Sequence, residues 1–327
     1  MALTYDTNEY QIPRGRVFFD PFAADGVTLT GERYIGNCPG VTLAIATQKA
    51  EHYSSEAGLR QKDKSVLVQV DRTGKLDCDN MSLDNMALFF SGEVEAIAQT
   101  STSVTNEAVS ALADRYYQLG YGTSTPGGAR NVSAVVVEAD AAIWAVATAY
   151  AVGAIRKPTT GADLHYYRCT VAGTSHAATE PTWPTDGSTV TDGTVTWEDG
   201  GPLLLVAGTD YNTDLTLGRL QILATGRVGT HNSTGLATPL VVDYTRPAAA
   251  WERLKTGAAT ELTGALRVVS DNASGANRDF YMPSVSLTPD GDLPLIAENT
   301  DFAKVGFALE VLKPTNMEAI YVDGRPA

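Results

Sequence analysis

Three neighbouring segments decide how this chain is interpreted: VTLAIAT (41–47), EHYSSEAGLRQKDKS (51–65) and VLVQV (66–70). The first and the third carry apolar residues with period two, which predicts a pair of β-strands. A hairpin between such strands normally needs about two to five connecting residues. The segment between them is longer and charged, so it predicts an extended loop. The residues alone leave two interpretations open, a solvated surface loop and a loop that contacts other subunits.

The composition excludes several classes of function. The chain has 327 residues, of which 43% are hydrophobic and 19% charged, so about two domains with buried cores are expected. Its 38 acidic and 24 basic side chains give a net charge of −14. Such a surface disfavours general binding to nucleic acid or to anionic lipid, but it suits a channel through which DNA slides without adhering.

The N-terminal segment, the apolar tracts and the cysteines together predict a protein that is made in the cytoplasm. The N-terminus lacks the basic and then apolar region of a secretion signal. The longest apolar tract, residues 141–155, is shorter than the ~20 residues that a membrane-spanning helix needs. Cys38, Cys78 and Cys169 are odd in number and have no C-x-x-C spacing, which indicates reduced thiols and no thiolate zinc site.

Most of the chain has the period of β-strands. In the first hairpin, period two places two sets of side chains on common faces: Val41, Leu43 and Ile45, and Val66, Val68 and Val70. Further strands are predicted in three segments: GALRVVS (264–270), FYMPSVSL (280–287) and FALEVLK (307–313). The segment GTDYNTDLTLGRLQIL (208–223) predicts a hairpin with its turn at residues 214–218.

Two segments have helical patterns. In TNEAVSALADRYYQLG (105–120), apolar residues fall on one helical stripe and Gly120 follows as a stop. A shorter helix is predicted from Ser82 to Gly92. One substantial helix among many strands predicts a mainly-β fold, a sandwich or barrel with a helix packed on it.

A change of composition predicts an inserted small all-β module at residues 144–201, within a discontinuous parent domain formed by residues 1–143 and 202–327. We expect the module to be separable, so that its deletion leaves assembly intact. Its aromatic side chains have two interpretations, the core of a small module and a platform on which sugar rings stack. The candidates for the second role are Trp144, Tyr150, Tyr167, Trp183 and Trp197.

The sequence contains no catalytic or cofactor motif that we recognise, so we expect neither an enzyme nor a cofactor or metal site. The four histidines are scattered without metal-ligand spacing. Asp210, Asn212 and Asp214 resemble the start of a calcium loop, but Leu215 and Gln221 stand where glycine and glutamate are needed. A hairpin turn explains these residues equally well.

Four segments together resemble the major tail tube proteins of long-tailed bacteriophages: RGRVFFDPF (14–22), GERYIGNCPGVTLAI (31–45), the stretch from EHYSSEAGLR to LFFSG (51–92), and GTDYNTDLTLGRLQIL (208–223). The inserted segment, with Trp144, Tyr150 and Gly153 followed by YYRCTVAGTS, resembles a small β-module of phage structural proteins. That module is distantly similar to chitin-binding modules.

The tail tube resemblance implies a β-sandwich subunit that forms homohexameric rings, which stack into a virion tail tube conducting DNA. Implied partners are further copies of the chain, the tape measure, tail terminator and distal tail proteins, with no membrane. The module is then an outer decoration. An alternative is a glycan-binding adhesin that acts through residues 144–201 on host-surface glycans. The resemblance favours a loop between subunits and rings, formed by Glu51, His52, Tyr53, Ser54, Ser55, Glu56, Gly58, Leu59, Arg60, Lys62, Asp63 and Lys64.

Overall fold

The chain folds into two compact units. The computed structural model describes residues 9–56, 58–161, 164–230, 235–257, 262–298 and 301–325. The first unit comprises Met1–Ala96 and Glu252–Ala327, and the second comprises Ile97–Trp251. Strands hold 53% of the residues and helices 4%, which confirms the predicted mainly-β fold. The sheets of the described residues do not close into a barrel.

The secondary structure elements follow one another in chain order. The first strands and the first helix are β1 (Gly15–Pro21), β2 (Arg33–Tyr34), β3 (Gly40–Ser54), β4 (Gln61–Cys78), α1 (Leu83–Phe89), β5 (Glu93–Gln99), β6 (Thr102–Ala111), β7 (Arg115–Gln118) and β8 (Ser133–Ala139). Short strands come next: β9 (Ala142–Ile143), β10 (Ala149–Tyr150), β11 (Ile155–Lys157), β12 (His165–Val171), β13 (Gly173–Thr174), β14 (Thr189–Asp192) and β15 (Val195–Pro202). The last elements are β16 (Tyr211–Asp214), β17 (Arg219–Ile222), α2 (Arg227–Thr230), β18 (Thr238–Arg246), β19 (Ala249–Lys255), β20 (Leu262–Ser270), β21 (Arg278–Pro289), β22 (Val305–Val311) and β23 (Tyr321–Gly324).

The first unit is built on one large sheet with the strand order β2-β1-β20-β21-β22-β4-β3, and β23 pairs with β21. The three strands predicted at residues 264–313 are confirmed as β20, β21 and β22. Alternate apolar side chains of this sheet form one buried core that includes Phe19, Leu76, Leu287 and Phe307. Period-two patterning therefore located these three strands correctly.

The predicted helix at residues 82–92 is confirmed as α1. Ser82 is its N-cap, because the Ser82 hydroxyl oxygen accepts a hydrogen bond from the Asn85 backbone N–H at 3.2 Å. The helix packs on the sheet of the first unit, where the ring centroids of Phe89 and Phe307 lie 6.3 Å apart in an edge arrangement.

The predicted helix at residues 105–120 is wrong. These residues form the end of β6 and all of β7. β6 pairs with β18 along almost its full length, and β7 pairs with β17. Tyr116, which a helical stripe would bury, is exposed and lies under the guanidinium of Arg219. Pairing with strands far along the chain overrides a local pattern that fits both periods.

The predicted hairpin at residues 208–223 is confirmed as β16 and β17. The Leu217 backbone N–H donates to the Asp214 carboxylate at 2.9 Å and stabilises the turn. Gly218 has φ +66°, and a Cβ there would collide with the carbonyl oxygen of Ala129. The turn therefore requires glycine at this position.

The structure draws the domain boundaries differently from the sequence. They fall within β5 and β19, so residues 144–201 lie inside the second unit. Consecutive residues of β12 serve two cores: Tyr166 is buried in the large core of this unit, and Tyr167 is buried in a smaller aromatic core. Residues 144–201 therefore share a strand with the larger core, so we now expect their deletion to disturb that core.

Candidate self-association surface

The charged segment 51–65 belongs to a long β-ribbon. β3 continues to Ser54 and β4 begins at Gln61, so the expected long loop is wrong and only residues 55–60 connect the strands. β22 covers the inner edge of β4 as far as Thr73. Beyond that point the two strands pair only with each other. We call this ribbon, residues 45–72, the arm.

Every described residue of the arm is exposed or half-exposed, on both faces of the ribbon. Large apolar side chains are among them: Ile45, Tyr53, Leu59, Val66, Leu67 and Val68. A ribbon of two strands is marginally stable in water, and strands gain stability when an apolar face is covered. The arm is therefore not a part of the monomer core, and its apolar side chains are accessible.

Two bulges set which side chains share a face of the arm. The register shifts by one residue at Val68 and again at Asp63, each an extra residue of β4. The prediction that Val66, Val68 and Val70 share one face is therefore wrong. Leu67, not Val66, shares a face with Val70, because the bulge reverses the alternation between them.

A charged cluster surrounds Tyr53 near the end of the arm. The Tyr53 hydroxyl donates to the Glu51 carboxylate at 2.9 Å, and Lys62 forms an ion pair with the same carboxylate. The guanidinium carbon of Arg60 lies 5.5 Å from the centre of the Tyr53 ring. The hydrogen bond from Lys62 lowers the pKa of Glu51, and the reciprocal bond raises the pKa of Lys62.

The arm also differs from the rest of the chain in charge. It has five basic residues, Lys49, Arg60, Lys62, Lys64 and Arg72. It has four acidic residues, Glu51, Glu56, Asp63 and Asp71. Its net charge is thus +1, in a chain whose net charge is −14. An acidic surface would attract it, and the attraction would weaken with added salt.

All twelve residues that the sequence analysis assigned to an intersubunit loop lie in the arm or its turn. His52 and Asp63 pair across the ribbon, with 2.6 Å between Nδ1 and the carboxylate oxygen. Sequence reasoning missed Leu67 and Val68 as surface residues, since alternating apolar residues normally line a core. A local pattern cannot show that two strands extend beyond the last neighbouring strand of their sheet.

The five aromatic residues proposed to face a glycan are placed differently. Trp144, Tyr150, Tyr167 and Trp197 are buried, so their rings offer no face to a sugar. Trp183 is half-buried and packs on Tyr167, with 4.3 Å between ring centroids. The interpretation as a glycan platform is wrong for the four buried rings, which fill a small core instead.

One buried carboxylate organises this aromatic core. One oxygen of Asp192 accepts hydrogen bonds from the indole N–H groups of Trp144 at 2.8 Å and of Trp197 at 3.2 Å. The other oxygen accepts from the backbone N–H of His176 at 2.8 Å. Three donors thus satisfy a carboxylate that is almost fully buried. Because both indoles must point inward to reach it, their rings cannot turn to solvent.

The described residues contain no group of three or more His, Cys, Asp or Glu side chains that could hold a metal ion. At the site that resembles a calcium loop, the buried Asp210 carboxylate pairs with Arg227 at 2.6 Å. In the described part of the chain, no helix is long and apolar enough to span a membrane.

Comparison with known protein families identifies the family of the chain. Residues 10–179, slightly more than half of the chain, match the model of a family described as "Protein of unknown function UCP028589". The chain belongs to this family. The matched region contains the whole arm and most of the aromatic core segment. No protein of curated function matches the chain.

Proposed function

We propose that this protein is a structural subunit that self-associates into rings, and that the rings stack into the tail tube of a long-tailed bacteriophage. The observation that carries the proposal is the arm, a ribbon with apolar side chains exposed on both faces. Such a ribbon gains stability when a neighbouring molecule covers it. Repeated copies of one chain supply that cover symmetrically.

The edge of the large sheet supports the same proposal. β3 is the last strand of the sheet order, so in the described structure no strand pairs with its outer edge over residues 40–54. An open edge of this length invites pairing with a strand of another molecule. In a closed ring, each copy would complete the sheet of its neighbour.

The charge of the chain fits a conduit for DNA. A net charge of −14 opposes adhesion of a polyanion, so DNA would pass through the tube without being trapped. We propose the virion tail as the location, and the tape measure, tail terminator and distal tail proteins as the neighbours of the tube. Residues 144–201 are proposed to decorate its outside.

A pair of matched variants tests the role of the arm. Val68 in the arm is 59% exposed and Val171 in the second unit is 53% exposed, so aspartate at either site should leave folding intact. We expect wild type and Val171→Asp to form rings or tubes in negative-stain images and in sedimentation. Val68→Asp should stay dispersed, because it places a charge in the contact. A wild type that stays monomeric at high concentration, or a Val68→Asp variant that assembles normally, would refute the proposal.

A further inference from the structure

A second uncovered apolar surface lies in the same unit as the arm. The segment between β21 and β22 is described at residues 290–298 and 301–304, which we call the apolar loop. Leu295, Ile296 and Phe302 in this loop are 84%, 96% and 87% exposed. Isolated apolar side chains on a surface are ordinary, but three so exposed in one short loop mark a contact surface.

The apolar loop and the arm lie at opposite ends of the same strands. β22 starts directly after the loop, and its first residue, Val305, pairs with Cys78 of β4. At the other end of β22, Glu310 pairs with Thr73, and the arm begins beyond that pair. Because the arm extends from Thr73 away from the loop, the arm of one molecule cannot cover the loop of the same molecule.

The charges of the two surfaces are complementary. The loop carries Asp290, Asp292, Glu298 and Asp301 against Lys304. Its net charge is therefore −3, whereas that of the arm is +1. Among the described residues, Arg60 and Lys64 of the arm have no carboxylate partner, and Asp292 and Asp301 of the loop have no cationic partner.

We propose that the arm of one copy docks on the apolar loop of the next copy along the strand direction. This inference rests on the proposed self-association and names the contact that joins successive rings. The contact is heterologous, since different surfaces meet, and it therefore propagates along one axis. β4 has 18 residues, which span about 60 Å at about 3.3 Å per residue. The axial repeat of the assembly should not exceed that length.

Apolar substitutions in the loop test the contact from the side opposite the arm. Ile296→Asp and Phe302→Asp should fold normally, because both side chains are almost fully exposed. Each should raise the critical concentration for tube growth by about tenfold or more. Tyr121→Asp is the control, since Tyr121 is 72% exposed in the second unit. Circular dichroism and electron microscopy report folding and tube length.

Charge reversal provides a rescue experiment. Arg60→Glu with Lys64→Glu, and separately Asp292→Lys with Asp301→Lys, should each shorten or abolish the tubes. The variant that carries all four substitutions should regain growth, because the paired charges are restored with opposite sign. A structural defect in either segment would not be rescued in this way.

The outcomes separate this contact from the proposed function. If wild type assembles and the loop variants assemble equally well, or if the four-fold variant shows no recovery, the docking of the arm on the loop is refuted while self-association stands. An axial repeat well above about 60 Å would also refute it. A wild type that never assembles would refute both proposals.

Discussion

Replacing Asp192 by alanine should destabilise the aromatic core of residues 144–201. The carboxylate accepts three hydrogen bonds, from Trp144, Trp197 and the backbone N–H of His176. Alanine would leave all three buried donors without an acceptor. Each orphaned donor costs roughly 1–3 kcal/mol, which sums to about 3–9 kcal/mol for three donors. Because single substitutions rarely cost more than about 5 kcal/mol, we expect the unfolding free energy to fall by about 3–5 kcal/mol. For a unit of this size, Tm should fall by at least roughly 6 °C.

Urea denaturation followed by tryptophan fluorescence measures this loss, because two of the chain's four tryptophans bond the carboxylate directly. Asp192→Asn should lose less, about 2 kcal/mol, because the amide keeps one acceptor oxygen. Asp186→Ala is the control: Asp186 is exposed and accepts from the Ser188 backbone N–H at 3.1 Å, so its loss should stay below about 1 kcal/mol. A loss below about 1 kcal/mol for Asp192→Ala would refute the reasoning.

Three further predictions concern the second unit. Burial would raise the pKa of Asp210, but hydrogen bonds from Arg227 outweigh burial and hold the pKa below its ordinary value of 3.8. The ion pair of Asp210 and Arg227 therefore stabilises the fold above that pH, and the stabilisation is lost as pH falls through the lowered pKa. In urea titrations, Asp210→Asn should reduce the unfolding free energy by about 3 kcal/mol at pH 7 and by less at pH 3. Gly218→Ala should cost about 1–3 kcal/mol in the same assay, because the turn needs a positive φ there; an unchanged midpoint would contradict this. Deletion of residues 145–200 removes Tyr166 from the large core, so the second unit should lose near-UV circular dichroism and resistance to protease, and a folded deletion variant would show that the cores are independent.

Strand pattern predicted much of the first unit, because burial alternates along β22 and apolar residues recur through β20 and β21. In β20, β21 and β22 the apolar residues of one face enter a single core, and the pattern is visible in each segment alone. The short helix α1 was also predictable, since Ser82 supplies a local cap. The hairpin of β16 and β17 followed from turn residues that act within a few positions.

The errors arose where distant parts of the chain decide the structure. Residues 105–120 fit a helical stripe, but β18 and β17 recruit them into sheets. The segment 51–65 has no apolar alternation, so nothing local showed that β3 and β4 would continue through it. Asp192 belongs to no motif that the sequence singles out, and only the folded arrangement brings two indoles to it. The shared use of β12 by two cores is equally a property of tertiary packing.

The extra residues of β4 have a consequence for how the arm can vary. Each extra residue inverts the alternation of side chains between the two faces along β4. Because there are two, the residues before Asp63 and after Val68 keep the same alternation, and only residues 64–67 are reversed. Relatives could gain or lose pairs of residues here and still display the same side chains at the far end. Gain or loss of an odd number of residues in β4 would turn the other set of side chains toward a neighbouring molecule. We therefore expect the length of β4 to vary by even numbers of residues.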